Sequence, residues 1–355
     1  ILCGPRKAIW AATLEHVQRA KQANPYLVKT RSPAEVGLVY SERTANLEDY
    51  NPAGNCGGPY FSNQFGLYAA LAHAHIQCDP IYADGLKAET LKRYKVLVLS
   101  DAGCLEPETL VRLREWVAAG GYLIATGGSA RLDQWGRGQK DYQLADVFGV
   151  KYLQTKKAKG NLEFGKDGAG VLCKADAYEV VAPTTGLVKA QWATKEPAVV
   201  LNRFGKGSCL FVSAAHPGLS LTASGMAIRT PFARDLTFFK GLKEFLAASV
   251  QEGLAATQAA LPFVVANCPE DVEVTMRVQA QPQRRMLHFV NHSLTNVPVK
   301  GTEVTVNLAP GQTVKEVYYA CPEKRSVPHK QDGNRLTFKV RDFEVYELVV
   351  VEPGN

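Results

Sequence analysis

The stretch YKVLVLSDAGCLEPETLVRLREWVAAGGYLIATGG, residues 94–128, carries the clearest structural signal in the chain. Its first apolar run, KVLVLSD (95–101), does not alternate with polar residues, so it reads as a strand buried on both faces of a parallel sheet. Pro107 then stands near a helix start, Leu110, Leu113 and Val117 recur on one helical face, and a glycine pair ends the helix. GYLIATGG (121–128) is the next buried strand. On the N-terminal side lie a short strand, CDPIYAD (78–84), and a helix, FSNQFGLYAALAHAHI (61–76), patterned through Phe65, Tyr68, Leu71 and Ala72. Before them comes another apolar strand, EVGLVYS (35–41). A β-α-β-α-β run of this kind predicts a doubly wound α/β domain with right-handed crossovers.

Around that run the pattern changes. Residues 6–24 form an amphipathic helix with Ile9, Trp10, Leu14, Val17 and Ala20 on one side and Arg, Lys, Glu and Gln on the other. Residues 151–170, rich in Lys and Gly, read as an excursion or hairpin, and 197–215 as a hairpin turning at Phe204-Gly205-Lys206-Gly207. A helix is expected over 232–249, with Leu236, Phe239, Leu242 and Phe245 facing inward. Beyond a linker at 251–260, short alternating runs at regular spacing predict an antiparallel β-sandwich over 261–355.

Composition narrows the function. The chain has 355 residues, 46% hydrophobic and 21% charged, as expected of globular domains. No stretch approaches the ~18–20 consecutive apolar residues of a membrane-spanning helix. The net charge is +7, and residues 1–32 supply +5 of it through Arg6, Lys7, Arg19, Lys21, Lys29 and Arg31 against Glu15. No basic stripe interleaved with aromatics follows, which argues against a nucleic-acid partner. The eight cysteines include no C-x-x-C pair, and Cys78, Cys209 and Cys268 lie in or beside apolar runs. Buried thiols in a reducing compartment, and hence a cytoplasmic location, are the expectation.

Few residues offer chemistry. His73 and His75, two apart on a helix, face different ways and cannot share a metal. His288 and His292 read as sheet-surface residues. Gly127-Gly128 is followed by Ser129-Ala130-Arg131, which completes no phosphate-binding motif. Glu42, Asp101 and Asp133 lie at strand ends, yet nothing selects two of them as a glycosidase pair. Cys104 and His216 both follow strands, at the edge where open α/β sheets place their sites, so a Cys/His dyad is a candidate. Glu106 and Glu108 beside Cys104 oppose it, because carboxylates raise a thiol pKa.

The order of segments resembles the C-terminal half of family-42-type β-galactosidases and their glycoside-hydrolase-like relatives. The resemblance runs through PYLVKTRSPAEVGLVYSE (25–42), GLYAALAHAHIQCDPIY (66–82), residues 94–127, NRFGKGSCLFVSA (202–214), RRMLHFVNHS (284–293) and the closing VYELVVVEP. It implies a class I glutamine-amidotransferase-like domain at 33–250 that assembles trimers, followed by a small β-sandwich. The amidotransferase nucleophile would stand near Gly127-Gly128-Ser129, where there is no Cys; His216-Pro217 resembles the family's His-Pro. The family's catalytic glutamates lie on barrel strands that have no counterpart here, so the resemblance implies no catalytic, metal or cofactor residue in this chain.

The resulting expectation is a non-catalytic, homo-oligomeric support module. Two alternatives stand beside it: a thiol hydrolase using Cys104 and His216, and a carbohydrate-binding module using exposed Tyr318 and Tyr319. Residues 1–32 resemble the last helix of a missing barrel. With Ile1 at the start, the chain reads as the back half of a longer polypeptide.

Overall fold

The computed structural model describes residues 6–49, 58–84, 86–157, 162–164, 171–173, 177–218, 240–293 and 297–354. The chain divides into two compact units, one of residues 34–260 and one joining 1–33 to 261–355. Among the described residues, no helix is long and apolar enough to cross a membrane.

The first unit is built on parallel strands β1 (Val36–Tyr40), β2 (Cys78–Tyr82), β3 (Val96–Leu99) and β4 (Tyr122–Thr126). A three-stranded antiparallel sheet beside them contains β5 (Val150–Lys157) and β6 (Ala177–Pro183). The chain returns through β7 (Leu187–Gln191), β8 (Pro197–Phe204) and β9 (Gly207–Val212), and ends this run in β10 (Ala214–Ala215), the third strand of the small sheet. The main sheet has the order β7-β8-β9-β4-β3-β1-β2, with β9 parallel to β4 and the β7–β8 edge antiparallel. All four residues of β3 are fully buried, as its unbroken VLVL run predicts. The expected hairpin at 197–215 is β8–β9, with Phe204 opposite Gly207. Of the 151–170 excursion, residues 150–157 form β5, and Leu162–Phe164 pairs antiparallel with Val171–Cys173.

Helices α1 (Glu42–Glu48), α2 (Pro59–His73), α3 (Pro107–Ala118) and α4 (Lys240–Ala256) belong to the unit, together with the one-turn helices Ala88–Leu91 and Ala145–Phe148. Leu110, Leu113 and Val117 of α3 are buried, while Val111 on its other side is half exposed. Helix α4 departs from expectation: it runs to Ala256, through the first residues of the expected linker, and residues 232–239 lie outside the described set. Leu254 is buried, which gives these last turns a packing partner. Gly253 permits the approach, since a Cβ there would lie 2.6 Å from Tyr122 and 2.9 Å from Val96.

In the second unit, two antiparallel sheets enclose one core. The larger has the order Thr30–Arg31, Val272–Gln279, Arg284–Asn291, Tyr346–Pro353, Val314–Tyr319, Arg325–Ser326. The smaller has the order Phe263–Ala266, Glu303–Asn307, Arg335–Lys339, His329–Asp332. Inward residues alternate along the strands, and Val274, Met276 and Phe289 meet Val304, Leu336 and Phe338 between the sheets. The larger sheet is also apolar on its outer face, where Met286, Tyr318, Leu348 and Val350 pack with Ala23 of the N-terminal helix Arg6–Leu27. Gln279 fastens that helix end by donating to the carbonyls of Pro25 and Val28, at 2.8 Å each. The end of this helix is therefore packed onto the sheet rather than free-standing. Farther up the helix, Leu14 and Val17 are 55% and 43% exposed.

The two sides of α3 supply a direct check. Leu113→Ala removes a fully buried side chain and should lower the unfolding free energy by about 2–5 kcal/mol. Val111→Ala, on the exposed side, should change it by less than about 0.5 kcal/mol. Urea unfolding followed by circular dichroism distinguishes the two; equal losses would contradict the assigned face.

Candidate functional site

The strand order of the main sheet reverses between β1 and β3, and ligands of open α/β sheets bind at such a switch point, at the carboxyl ends of the strands. Here that edge is polar and almost closed to solvent. Its centre is Asp101, 1% exposed, with a left-handed φ of 49° two residues beyond β3. One carboxylate oxygen accepts the Gly128 N–H at 3.0 Å. The other accepts from the Thr126 hydroxyl at 2.5 Å, the His216 N–H at 3.0 Å and the Ser100 hydroxyl at 3.2 Å, with Asn63 Nδ2 at 3.4 Å. Ala130 and His216, which follow β4 and β10, are also left-handed, at φ 55° and 48°. Three such non-glycine residues beside one another mark a backbone held by its surroundings.

His216 sits between carboxylates. Its Nε2 lies 3.1 Å from Glu48 Oε2. Burial alone would lower its pKa; the charges of Asp101, Glu48 and Asp49 outweigh burial and raise it to about 9. Asp49 also caps α2, accepting from the N–H groups of Tyr60 and Phe61 at 2.9 and 2.8 Å. Glu179 on β6 is buried, and burial raises its pKa to about 7 against the opposing Thr155 hydroxyl and the positive charges of Arg131 and His216. The Arg131 guanidinium lies over the Tyr152 ring at 3.6 Å.

The arrangement does not present a nucleophile. Cys104 is 1% exposed, and burial, followed by the charges of Glu48 and Asp133, raises its pKa to about 11. At pH 7 its thiolate fraction is on the order of one in ten thousand. Its backbone is fixed at both ends, the N–H on Thr44 Oγ1 at 3.0 Å and the carbonyl on the Ser41 hydroxyl at 2.7 Å. Among the described residues His216 makes its ring contact with Glu48, and no hydrogen bond joins it to Cys104. Ser129, which follows Gly127-Gly128 after β4, is fully buried and donates to the Leu99 carbonyl at 2.9 Å.

The other expected residues are dispersed. Asp133 closes a turn by accepting the N–H groups of Trp135 and Arg137, and Glu42 is exposed in the first turn of α1. His73 is buried near the end of α2 and His75 lies beyond it. Among the described residues no three potential ligands converge on a metal position. His288 is a correction: it is buried, not a sheet-surface residue, because the sheet bearing it is covered on both faces. Burial, helped by Arg277, lowers its pKa to about 4, and its Nδ1 lies 2.8 Å from the Tyr346 hydroxyl. Tyr318 and Tyr319 are a second correction, at 2% and 6% exposure. The Tyr318 hydroxyl donates to Glu352 at 2.7 Å and the Tyr319 hydroxyl accepts the Arg341 N–H at 2.6 Å, so neither ring is a platform for a sugar.

The two raised pKa values have the same consequence for stability. His216 binds its proton more tightly folded than unfolded, so its contribution is complete below its ordinary value of 6.5 and is lost as pH rises through about 9. Glu179, also a tighter proton binder when folded, costs stability as it ionises between 4.5 and about 7. Chemical unfolding should therefore show stability falling between about pH 5 and pH 9, and His216→Asn should flatten the upper half of that fall. Stability that rises across the window would contradict the assignment.

Residues 34–227, more than half of the chain, match the family model described as the β-galactosidase trimerisation domain. A search of functionally curated proteins finds no sequence match. Several solved structures share the fold. The α-L-fucosidase isoenzyme 2 of Paenibacillus thiaminolyticus is 17% identical with a TM-score of 0.71, over 95% of this chain and 51% of that one. A β-galactosidase from Bacillus circulans sp. alkalophilus is 19% identical with a TM-score of 0.63, over 93% and 43%. A catalytic mutant of a GH42 β-galactosidase from G. stearothermophilus is 18% identical with a TM-score of 0.61, over 90% and 40%. The chain thus spans about half, or less, of the length of these proteins. On the match over 34–227, the chain belongs to the β-galactosidase trimerisation domain family.

Proposed function

We propose that this chain is a non-catalytic oligomerisation and support module of a glycoside-hydrolase-like protein. In this reading residues 33–250 are an amidotransferase-like domain without its nucleophile, 251–260 a connection and 261–355 a β-sandwich. The assembly is a homotrimer that buttresses a catalytic barrel, and hydrolysis of the O-glycosyl bond takes place there. No residue of this chain is catalytic, and it needs neither cofactor nor metal.

The observation that carries the reading is the internal satisfaction of the switch-point site. Asp101 is occupied by donors from the protein itself, Cys104 is sealed with a raised pKa, and His216 is held by Glu48. A working dyad needs a nucleophile and base within hydrogen-bond reach and a space for the reacting atom. The names of the structural relatives, β-galactosidases and an α-L-fucosidase, support a sugar-processing context. A cytoplasmic location is part of the proposal; it draws support from Cys104 and Cys209, both buried thiols outside any disulfide.

Light scattering of the purified chain should give about three times its 38.7 kDa mass. The same preparation should leave aryl β-galactosides, glutamine and activated esters unhydrolysed. A monomer throughout the accessible concentration range would contradict the assembly role. Hydrolysis abolished by Cys104→Ser or His216→Ala would overturn the non-catalytic assignment and restore the thiol hydrolase.

A further inference from the structure

Outside the polar network, the α/β unit contains a second concave feature, a cleft of about 650 Å³ at the β1–β2 end of the sheet. That volume is within the range of small-ligand sites. Helix α2 lines one side with Phe61, Phe65 and Tyr68, whose spacing puts them on a single helical face. The final residues of β1 and β2, Tyr40 and Tyr82, line the other. The Phe61 and Phe65 rings are stacked at 6.1 Å, and those of Tyr40 and Tyr82 stand perpendicular at 5.9 Å. Tyr82 is 62% exposed and Phe61 37%. Five aromatic residues around one partly open cleft leave much apolar surface in water, and such surfaces commonly mark a binding site.

The charge of the cleft selects its occupant. Among the described residues, Glu42 is the one charged residue in the lining, which contains no Lys, Arg or His. Among the described residues Glu42 makes no ion pair, because its neighbour Arg43 is engaged by Glu106 at 2.6 Å and Asp84 at 3.8 Å. The field at Tyr40 is negative as well: after burial, the charges of Asp49 and Glu42 raise its phenol pKa. An anionic ligand would meet repulsion without a counter-charge. An organic cation would gain from the ring faces and from the carboxylate together.

We propose that the cleft bounded by Tyr40, Phe61, Phe65, Tyr68, Tyr82 and Glu42 binds a small organic cation bearing a quaternary or alkylated ammonium group. The ammonium sits among the rings with Glu42 as its counter-charge. A neutral pyranoside stacks on the same rings but leaves that charge unused. The site is separate from the Asp101 network, so this inference does not depend on the assembly role.

The test titrates the full chain with choline, its neutral isostere 3,3-dimethylbutan-1-ol, and methyl β-galactoside, read by saturation-transfer NMR of the ligand protons. Choline should bind saturably and about tenfold or more tighter than the isostere. Glu42→Gln and Tyr82→Leu should each weaken choline binding by about three- to thirtyfold. Circular dichroism confirms that each variant is folded, and because both side chains are solvent-exposed either one suffices if the other misfolds. Equal binding of choline and its isostere, preference for methyl β-galactoside, or no choline binding at about 50 mM overturns the proposal. So does loss of self-association in Tyr82→Leu without any choline binding, which would make the cleft a contact between copies of the chain.

Discussion

The α/β unit depends on one buried carboxylate. Asp101 lies two residues beyond β3 and accepts hydrogen bonds from Ser100 beside it, Thr126 at the end of β4, Gly128 after it, Asn63 on α2 and the backbone of His216. A charge removed from water is tolerated only when its lone pairs are filled with good geometry. Here, besides Ser100 on its own segment, they are filled from three others, so the carboxylate fixes where each of these stands relative to the sheet edge. The left-handed backbone at Asp101 itself and at the donor His216 is held in this arrangement.

The same clamp makes the site chemically quiet. In open α/β folds the switch point is where a substrate normally enters, and open valences there are the means of catalysis. In this chain the donors aimed at that point already terminate on Asp101, the thiol nearby is sealed, and the imidazole is held by Glu48. The polar groups at this point serve rigidity, which agrees with the assembly role proposed above. The aromatic cleft at the β1–β2 end is the contrasting case, with rings and a carboxylate left facing solvent.

Much of the scaffold was legible in the amino-acid pattern. The unbroken VLVL of β3, the Leu110-Leu113-Val117 stripe of α3 and the β8–β9 hairpin follow from periodicity and turn chemistry, because local sequence determines them. The larger sandwich sheet was harder to read. Tyr318 and Tyr319 are adjacent, so they face opposite sides of a strand, and an ordinary sandwich would expose one of them. Both are buried because the N-terminal helix covers the outer face. The signal was present in VYELVVVE, a run too uniformly apolar for a strand with one wet face. The Asp101 network left no such trace. Its partners Thr126 and His216 are 25 and 115 residues away, and nothing in the local pattern of SDAG (100–103) announces a hub.

If the switch-point network is a clamp, the stability of Asp101→Asn is the most direct measure of it. The substitution keeps the volume but turns one acceptor into a donor facing Thr126 and the His216 N–H. Urea unfolding at neutral pH should show a loss of about 3 kcal/mol or more relative to the unaltered chain. Unchanged or increased stability would contradict the account, since it would mark Asp101 as a strained group retained for chemistry.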